Sequence, residues 1–279
     1  MLECVSRFRP AEKMIRRILQ LLFVTLLLLG LSHPQLANPA TKRSKLRVMT
    51  YNIHVGMGVD QKLDLQRIAD VINHEQPDLV GLQEVDRGVR RTQGVDEIVE
   101  LSKATKMNYA FAHNLDYQGG AYGVAILSRF PIELTDHRKY ENRREAERRG
   151  MLRVEVMVAG RKVNFVTTHL DYQFADGRLF ETDQLLRFLA DKEGPIILVG
   201  DFNDEPTGEA YRLATSKFQD AWVARKTKES GFSYPSDKPA KRIDYIFFRA
   251  SDGIKVKKTW IVRTLASDHL PVVADLEFK

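Results

Sequence analysis

The sequence predicts an α+β or α/β fold in which two sheets pack face to face, helices cover them, and the whole forms one domain. Three observations carry that prediction. Short β-branched and aliphatic runs outnumber segments of helical period. Many neighbouring runs are placed to pair as hairpins, and the helical segments interrupt the strand series at intervals. With 279 residues, 43% of them apolar and 29% charged, the chain has the length and composition to bury a sizeable core.

The N-terminal segment stands apart. Lys13, Arg16 and Arg17 precede an apolar run, Ile18 to Leu31, interrupted only by the polar residues Gln20 and Thr25. A polar, Pro-containing stretch follows. A basic start, a short apolar run and a small-residue exit describe a signal peptide, with an uncleaved N-terminal anchor as the alternative. Ala37 is the best cleavage candidate. Residues 1–44 are therefore expected to be signal peptide or anchor plus linker, 45–279 the folded domain, and the protein exported.

The strands and helices follow in order. Leu46 to Tyr51 alternates like a strand and ends at Asn52-Ile53-His54. Leu63 to His74 reads helical, with Leu65, Ile68, Ala69 and Ile72 on one face. Asp78 to Leu82 is a strand ending at Gln83-Glu84. Val95 to Thr105 is a helix and Tyr109 to Ala112 a short strand. Gly123 to Leu127 is a strong strand. Ile132 to Lys139 and Met151 to Val158 are antiparallel strands, with most of the charged stretch Glu141 to Arg149 between them read as a solvated loop. Lys162 to Thr168 delivers His169-Leu170-Asp171. Arg178 to Leu189 is helical, and Glu209 to Ala214 is a short helix. Ile243 to Phe248, Ile254 to Val262 and Pro271 to Phe278 close the chain as strands.

Between the last two helices, Pro195 to Pro206 reads Pro-Ile-Ile-Leu-Val-Gly-Asp-Phe-Asn-Asp-Glu-Pro. Ile196 to Val199 has the continuous apolar character of a strand buried on both faces. It presents Asp201 and Asn203 at its mouth, where a rigid sheet positions loop chemistry.

Charge narrows the partners. The formal charge is +6, but residues 1–44 hold seven basic and two acidic residues, which leaves 36 basic against 35 acidic from Lys45 onward. A near-neutral domain lacks the excess that nonspecific nucleic-acid binding draws on. The single cysteine, Cys4, lies in the N-terminal segment, so no disulfide forms within the folded part.

Strand ends collect polar groups: Asn52, Glu84, His169 with Asp171, Asp201 with Asn203, and Asp268 with His269. Asp244 sits inside an otherwise apolar strand. Each alone reads as a turn, a cap or a solvated end. Together they supply carboxylates, carboxamides and two histidines without thiolates, an inventory suited to metal-assisted phosphoester hydrolysis. Hard oxygen ligands favour Mg²⁺ or Mn²⁺. The metal polarises the phosphoryl oxygen, a carboxylate deprotonates water, and an imidazole stabilises developing charge. A Ser-His-Asp hydrolase is disfavoured because no Gly-x-Ser-x-Gly motif is present.

Seven motifs in order carry a family resemblance: Thr-Tyr-Asn-Ile-His (50–54), Leu-Gln-Glu-Val-Asp (82–86), Ala-Ile-Leu-Ser-Arg-Phe-Pro-Ile (125–132), Thr-Thr-His-Leu-Asp (167–171), Gly-Asp-Phe-Asn (200–203), Arg-Ile-Asp-Tyr-Ile-Phe (242–247) and Ser-Asp-His-Leu-Pro-Val (267–272). The series resembles the endonuclease/exonuclease/phosphatase superfamily, with its DNase I-like fold, from Leu46 to the C-terminus. The resemblance implies a four-layer α/β/β/α sandwich of two packed, mainly antiparallel sheets. It implies Glu84 as the main metal ligand supported by Asn52, and Asp268 at the metal or at a water the metal holds. It implies Asp201 as the group that activates water, with Asn203 beside it. His169 and His269 would contact the scissile phosphate, with Asp244 orienting His269. The motifs around Asp201 and Asp244 depart from those of the inositol-phosphate phosphatase branch. Val124 stands where many relatives carry Asn.

The expected activity is exported, Mg²⁺-dependent phosphodiester hydrolysis. The substrate is a phospholipid head group, with contact at a membrane surface, or a nucleic acid held in a groove of Arg87, Arg90, Arg91, Arg143, Arg144, Arg148 and Arg149. No obligate protein partner is inferred. A non-catalytic binding module is the remaining alternative.

Overall fold

The structure is a computed structural model that describes residues 45–278 apart from Thr227; the signal or anchor segment expected over 1–44 lies outside the described residues. Twelve strands form two sheets among those residues. The first comprises β1 (Lys45–Asn52), β2 (Leu79–Arg87), β3 (Asn108–Tyr117), β4 (Gly120–Ser128), β11 (Ile254–Ile261) and β12 (Val272–Phe278), in the order β11-β12-β1-β2-β4-β3. The second comprises β5 (Ile132–Lys139), β6 (Gly150–Val158), β7 (Arg161–His169), β8 (Ile196–Asp201), β9 (Gln219–Asp220) and β10 (Asp244–Phe248), in the order β5-β6-β7-β8-β10-β9.

Each sheet has one parallel pair at its centre, β1 with β2 and β7 with β8, and antiparallel neighbours outside it. Parallel strands need a crossover, usually helical. Here α1 (Leu65–Glu75) links β1 to β2, and α3 (Ala175–Leu189) links β7 to β8. The remaining helices are α2 (Glu97–Thr105), α4 (Glu209–Thr215) and the single turn α5 (Ala221–Ala224). Asp64 begins α1 by accepting from the amides of Gln66 and Arg67, and Gln76 ends it in the left-handed conformation.

Alternation along the central strands separates three apolar clusters. Val48, Leu79, Val124, Phe165, Ile197 and Val199 meet between the sheets. Met49, Tyr51, Val80 and Leu82 face outward against Ile68, Ile72 and Leu101 of α1 and α2. Val166, Leu198 and Phe247 face Leu185, Leu189 and Ala214 of α3 and α4. The expected α/β/β/α layering is therefore present. Val124 packs in the inter-sheet core. At Gly81 the sheets approach so closely that a Cβ would lie 2.4 Å from Val199 Cγ2.

Three expectations need correction. The strand after Pro77 runs on to Arg87 instead of stopping at Leu82, because a bulge between Leu82 and Val85 absorbs Glu84 within it. The strands read as Tyr109 to Ala112 and Gly123 to Leu127 extend towards each other into a long β3–β4 hairpin. The solvated-loop reading of most of Glu141 to Arg149 does not extend to Arg149, of whose side chain only 3% is exposed.

Candidate active site

Cross-strand register builds one half of the site. On the second sheet Gly150 faces His169, His169 faces Asp201, and Asp201 faces Asp244, in a single row across β6, β7, β8 and β10. Paired residues project from the same face of a sheet, so His169, Asp201 and Asp244 stand side by side. All three are buried.

The first sheet supplies the other half. Asn52 ends β1 beside Gln83, whose Nε2 crosses between the sheets to donate to Thr167 Oγ1 at 2.8 Å. Strict alternation would turn Glu84 to the opposite face from Gln83. The bulge, with Glu84 at φ +56°, keeps it near Asn52. Asn52 Nδ2 then donates to Glu84 Oε1 and to Asp201 Oδ2, both at 3.0 Å, while its Oδ1 accepts from the amide of His54 at 3.0 Å.

Two loops complete the site. After β8 the chain folds back on Asp201, and the Asn203 amide donates to Asp201 Oδ1 at 2.8 Å. Asn203 is held at φ +48°, a conformation Asn tolerates better than most residues. Its Nδ2 donates to the Leu170 carbonyl at 3.1 Å and lies 3.1 Å from His169 Nε2. In the loop before β12, Ser267 Oγ donates to the Asn52 carbonyl at 2.8 Å, anchoring the neighbouring His269. His269 Nδ1 is 2.9 Å from Asp244 Oδ2, which also accepts from Ser233 Oγ at 2.6 Å. His269 Nε2 points towards Asp201 Oδ2 at 3.7 Å. The Tyr234 ring packs against the His269 ring, centroids 4.7 Å apart.

These neighbours separate the two histidines electrically. Burial opposes charge on His269, but Asp244 and Asp201 overcome it and raise its pKa to about 10, so the ring is an imidazolium at neutral pH. Burial, Arg149 and the charge on His269 push His169 well below its ordinary value, so it is neutral. The Asp201 carboxyl is raised by burial and by Asp244, against the opposing effect of His269.

The site opens into a cleft of about 800 Å³. Glu84, His169, Asp201, Asn203, Asp268 and His269 all line it. Asn52 and Asp244 stand behind them, fully buried. Asp171, suggested alongside His169, serves a local turn instead, accepting from the amides of Gln173 and Phe174.

Two groupings could hold a metal. Asp201, Asp244 and His269 bring ligand atoms within 4.8 Å of one another. When no cation is bound there, His269 Nδ1 is held by Asp244 and the ring stands between two carboxylates, a charge relay. Glu84 and Asp268 are the second. Both line the cleft, and Asn52 bonds only Oε1 of Glu84. Such all-oxygen donors suit a hard divalent ion.

The expected arginine groove does not assemble. Of the seven arginines, only Arg91 and Arg149 line the cleft. Arg91 is tied to the buried Asp86 by two hydrogen bonds of 2.8 and 2.9 Å. Arg87 pairs with Asp96, Arg144 with Asp176, and Arg148 donates to the Tyr140 carbonyl. Arg143 lies over Phe180. Sequence reasoning missed Arg149 itself as a partner of His169, together with Ser233 and Tyr234 behind and beside His269. Strand register brings Arg149 there, and the segment before β10 brings Ser233 and Tyr234, both through contacts distant in sequence.

Comparison with known proteins accords with this geometry. The chain is 27% identical over 256 residues to the uncharacterized protein YbhP of Escherichia coli K12, spanning 85% of this chain and 98% of that one. An endonuclease/exonuclease/phosphatase from Beutenbergia cavernae superimposes with a TM-score of 0.70 at 25% identity, over 84% of this chain and 72% of the other. The mannosyl-6-phosphatase Bt3783 of Bacteroides thetaiotaomicron shares the fold, with a TM-score of 0.67 at 19% identity, over 84% and 100% of the two chains. The family model described as the Endonuclease/Exonuclease/phosphatase family matches residues 49–269. The chain belongs to the endonuclease/exonuclease/phosphatase family.

Proposed function

We propose that the protein is an exported, metal-dependent phosphoester hydrolase, acting on a phosphodiester, with residues 45–279 as its catalytic domain. The observation that carries this reading is the meeting of Asn52, Glu84 and His269 from the first sheet and its loops with His169, Asp201, Asn203 and Asp244 from the second. Family membership supports both the phosphoester chemistry and the need for metal.

Glu84 and Asp268 would hold Mg²⁺ or Mn²⁺. When bound, the ion supplies Lewis-acid stabilisation of phosphoryl charge. Asp201 accepts a proton from the attacking water, its carboxylate aligned by Asn52 and the Asn203 amide. A base with a raised pKa works closer to neutral pH than an ordinary aspartate. The His269 imidazolium, held by Asp244, places positive charge beside Asp201 and the scissile phosphate. His169 and Asn203 donate to phosphoryl oxygens from the other side.

Within the diester class we favour a compact substrate such as a phospholipid head group. The cleft carries more carboxylates than cations, and its Arg91 is already neutralised by Asp86, so a track for a long polyanion is missing from its lining. Tyr117 and Tyr172 favour the second reading, a nucleic-acid end. They line the cleft with 39% and 56% of their surface exposed, as a stacking platform would.

The test is hydrolysis by the full chain with Mg²⁺ and with EDTA, using a sphingomyelin-like lipid, plasmid DNA, RNA and a bis-aryl phosphate in parallel. EDTA-sensitive turnover is expected, greatest on the lipid and insensitive to salt. Preference for DNA or RNA with steep salt inhibition moves the assignment to a nuclease. A folded chain that binds metal and hydrolyses none of the four would overturn the reading.

A further inference from the structure

Resting on that reading of the cleft, we infer that Arg149 is a positioning residue: it fixes the tautomer of His169 and makes this histidine a neutral hydrogen-bond donor to a substrate oxygen. Arg149 immediately precedes Gly150, which faces His169 across the β6–β7 ladder. Its guanidinium is buried, and Nη1 lies 2.8 Å from His169 Nδ1. A guanidinium has N–H donors and no acceptor. The proton in this contact therefore belongs to Arg149, and Nδ1 must offer its lone pair. A neutral imidazole has one ring proton, which is left on Nε2. Burial and the positive charges of Arg149 and His269 act in the same direction by suppressing a second proton.

The surroundings of Nε2 say what that proton is for. Asn203 Nδ2 approaches it to 3.1 Å, and the same amide nitrogen donates to the Leu170 carbonyl. An Nε2–H and an amide N–H cannot donate to each other. Asp201 Oδ2, the carboxylate oxygen facing Nε2, is 3.5 Å away. Two donors set side by side at the cleft wall call for a shared acceptor, and a single anionic oxygen between them satisfies both, as in an oxyanion hole. A phosphoryl oxygen has that chemistry. Were Nδ1 to carry the proton, Nε2 would present a lone pair to the phosphate and repel it.

The Nη1 of Arg149 is engaged on the protein side, while its Nε is buried without a hydrogen-bond partner among the described residues. Its Nη1 lies 2.9 Å from Glu147 Oε1 and 3.5 Å from the Tyr122 hydroxyl, and its guanidinium lies over the Tyr172 ring. It acts through His169.

The test is long-range ¹H–¹⁵N spectroscopy of the histidine rings in the full chain, free of metal and at neutral pH, with His169 assigned by its loss in His169→Gln. The wild-type His169 ring is expected to be neutral, protonated at Nε2 and bare at Nδ1. Arg149→Lys, which keeps a cationic donor, should preserve that pattern. Arg149→Met should place a proton on Nδ1 and reduce kcat on the order of 10²-fold with little change in KM. Protonated Nδ1 in the wild type, or an unchanged pattern in folded Arg149→Met, overturns the inference. The wild-type spectrum decides the tautomer even if Arg149→Met does not fold. Because the spectra need no turnover, a wild-type chain that hydrolyses nothing would sink the functional reading while leaving the tautomer result standing.

Discussion

Asn52 and Asp201 are joined by a 3.0 Å hydrogen bond although 149 residues and two different sheets separate them. The same Asn52 nitrogen holds Glu84 at 3.0 Å, so one carboxamide sets the spacing between the expected metal ligand and the expected base. Asn52→Ala removes both bonds and leaves two carboxylates unrestrained. It should lower kcat by roughly 10²-fold and raise the Mg²⁺ concentration needed for half activity. Unchanged values of both, in a folded variant, would show that the bridge has no part in catalysis.

Asp201 and Glu84 should fail differently. Asp201→Ala deletes the proton acceptor and should reduce turnover at least about 10³-fold at any metal concentration, with far-UV circular dichroism retained. His269→Ala should abolish turnover in the same way. Glu84→Ala removes a ligand, and part of its loss should be recovered by excess Mg²⁺. A metal titration identical to wild type contradicts the assignment of Glu84.

The pH profile has a sign at each limb. Asp201, raised by burial and by Asp244, must lose its proton to act as a base, so activity should rise with pH through a value above the ordinary aspartate pKa of about 3.9. His269 must keep its proton, so activity should fall as pH passes about 10. Asp244→Asn removes the strongest support for the imidazolium and should move the alkaline limb to lower pH. An alkaline limb that stays in place would detach it from His269. The profile is to be recorded at saturating Mg²⁺.

Glu181 offers a stability test away from the cleft. Burial and the nearby Asp171 raise its pKa to about 7, against the hydrogen bond it accepts from the Asp171 amide. A carboxyl raised in the fold contributes its full stability below its unfolded pKa and loses it as pH rises through the folded value. Between pH 5 and pH 8 the wild type should therefore lose up to about 3 kcal/mol that Glu181→Gln does not. Urea unfolding at the two pH values measures the difference, and a constant gap between the proteins rules the linkage out.

Gly81 is where the two sheets come closest. A methyl group there meets Val199 and Thr167 well inside contact distance. Gly81→Ala should cost about 1–3 kcal/mol in urea unfolding. It should also disturb catalysis, because Gln83, two residues along the same strand, bridges to Thr167 beside the site. A neutral substitution would mean that the sheets can separate without loss.

The amino-acid sequence by itself determined the local parts. The buried run Ile196 to Val199, the helical face of Leu65, Ile68 and Ile72, and the polar residues after β1, β7 and β8 are patterns of periods 2 and 3.6, set by neighbours a few residues apart. The seven ordered motifs carried the family and the candidate residues with them. Only the tertiary structure decided how those residues act on one another. Strand register put Asp244 beside Asp201 and Arg149 beside His169, the bulge turned Glu84 back towards Asn52, and sheet packing brought Asn52 to Asp201. It also scattered the arginines that sequence proximity had grouped, since residues adjacent in a chain point to different faces and find different partners. Charge state and tautomer follow from desolvation and from partners at about 3 Å. Those distances exist only once two sheets, joined by contacts remote in sequence, close on each other.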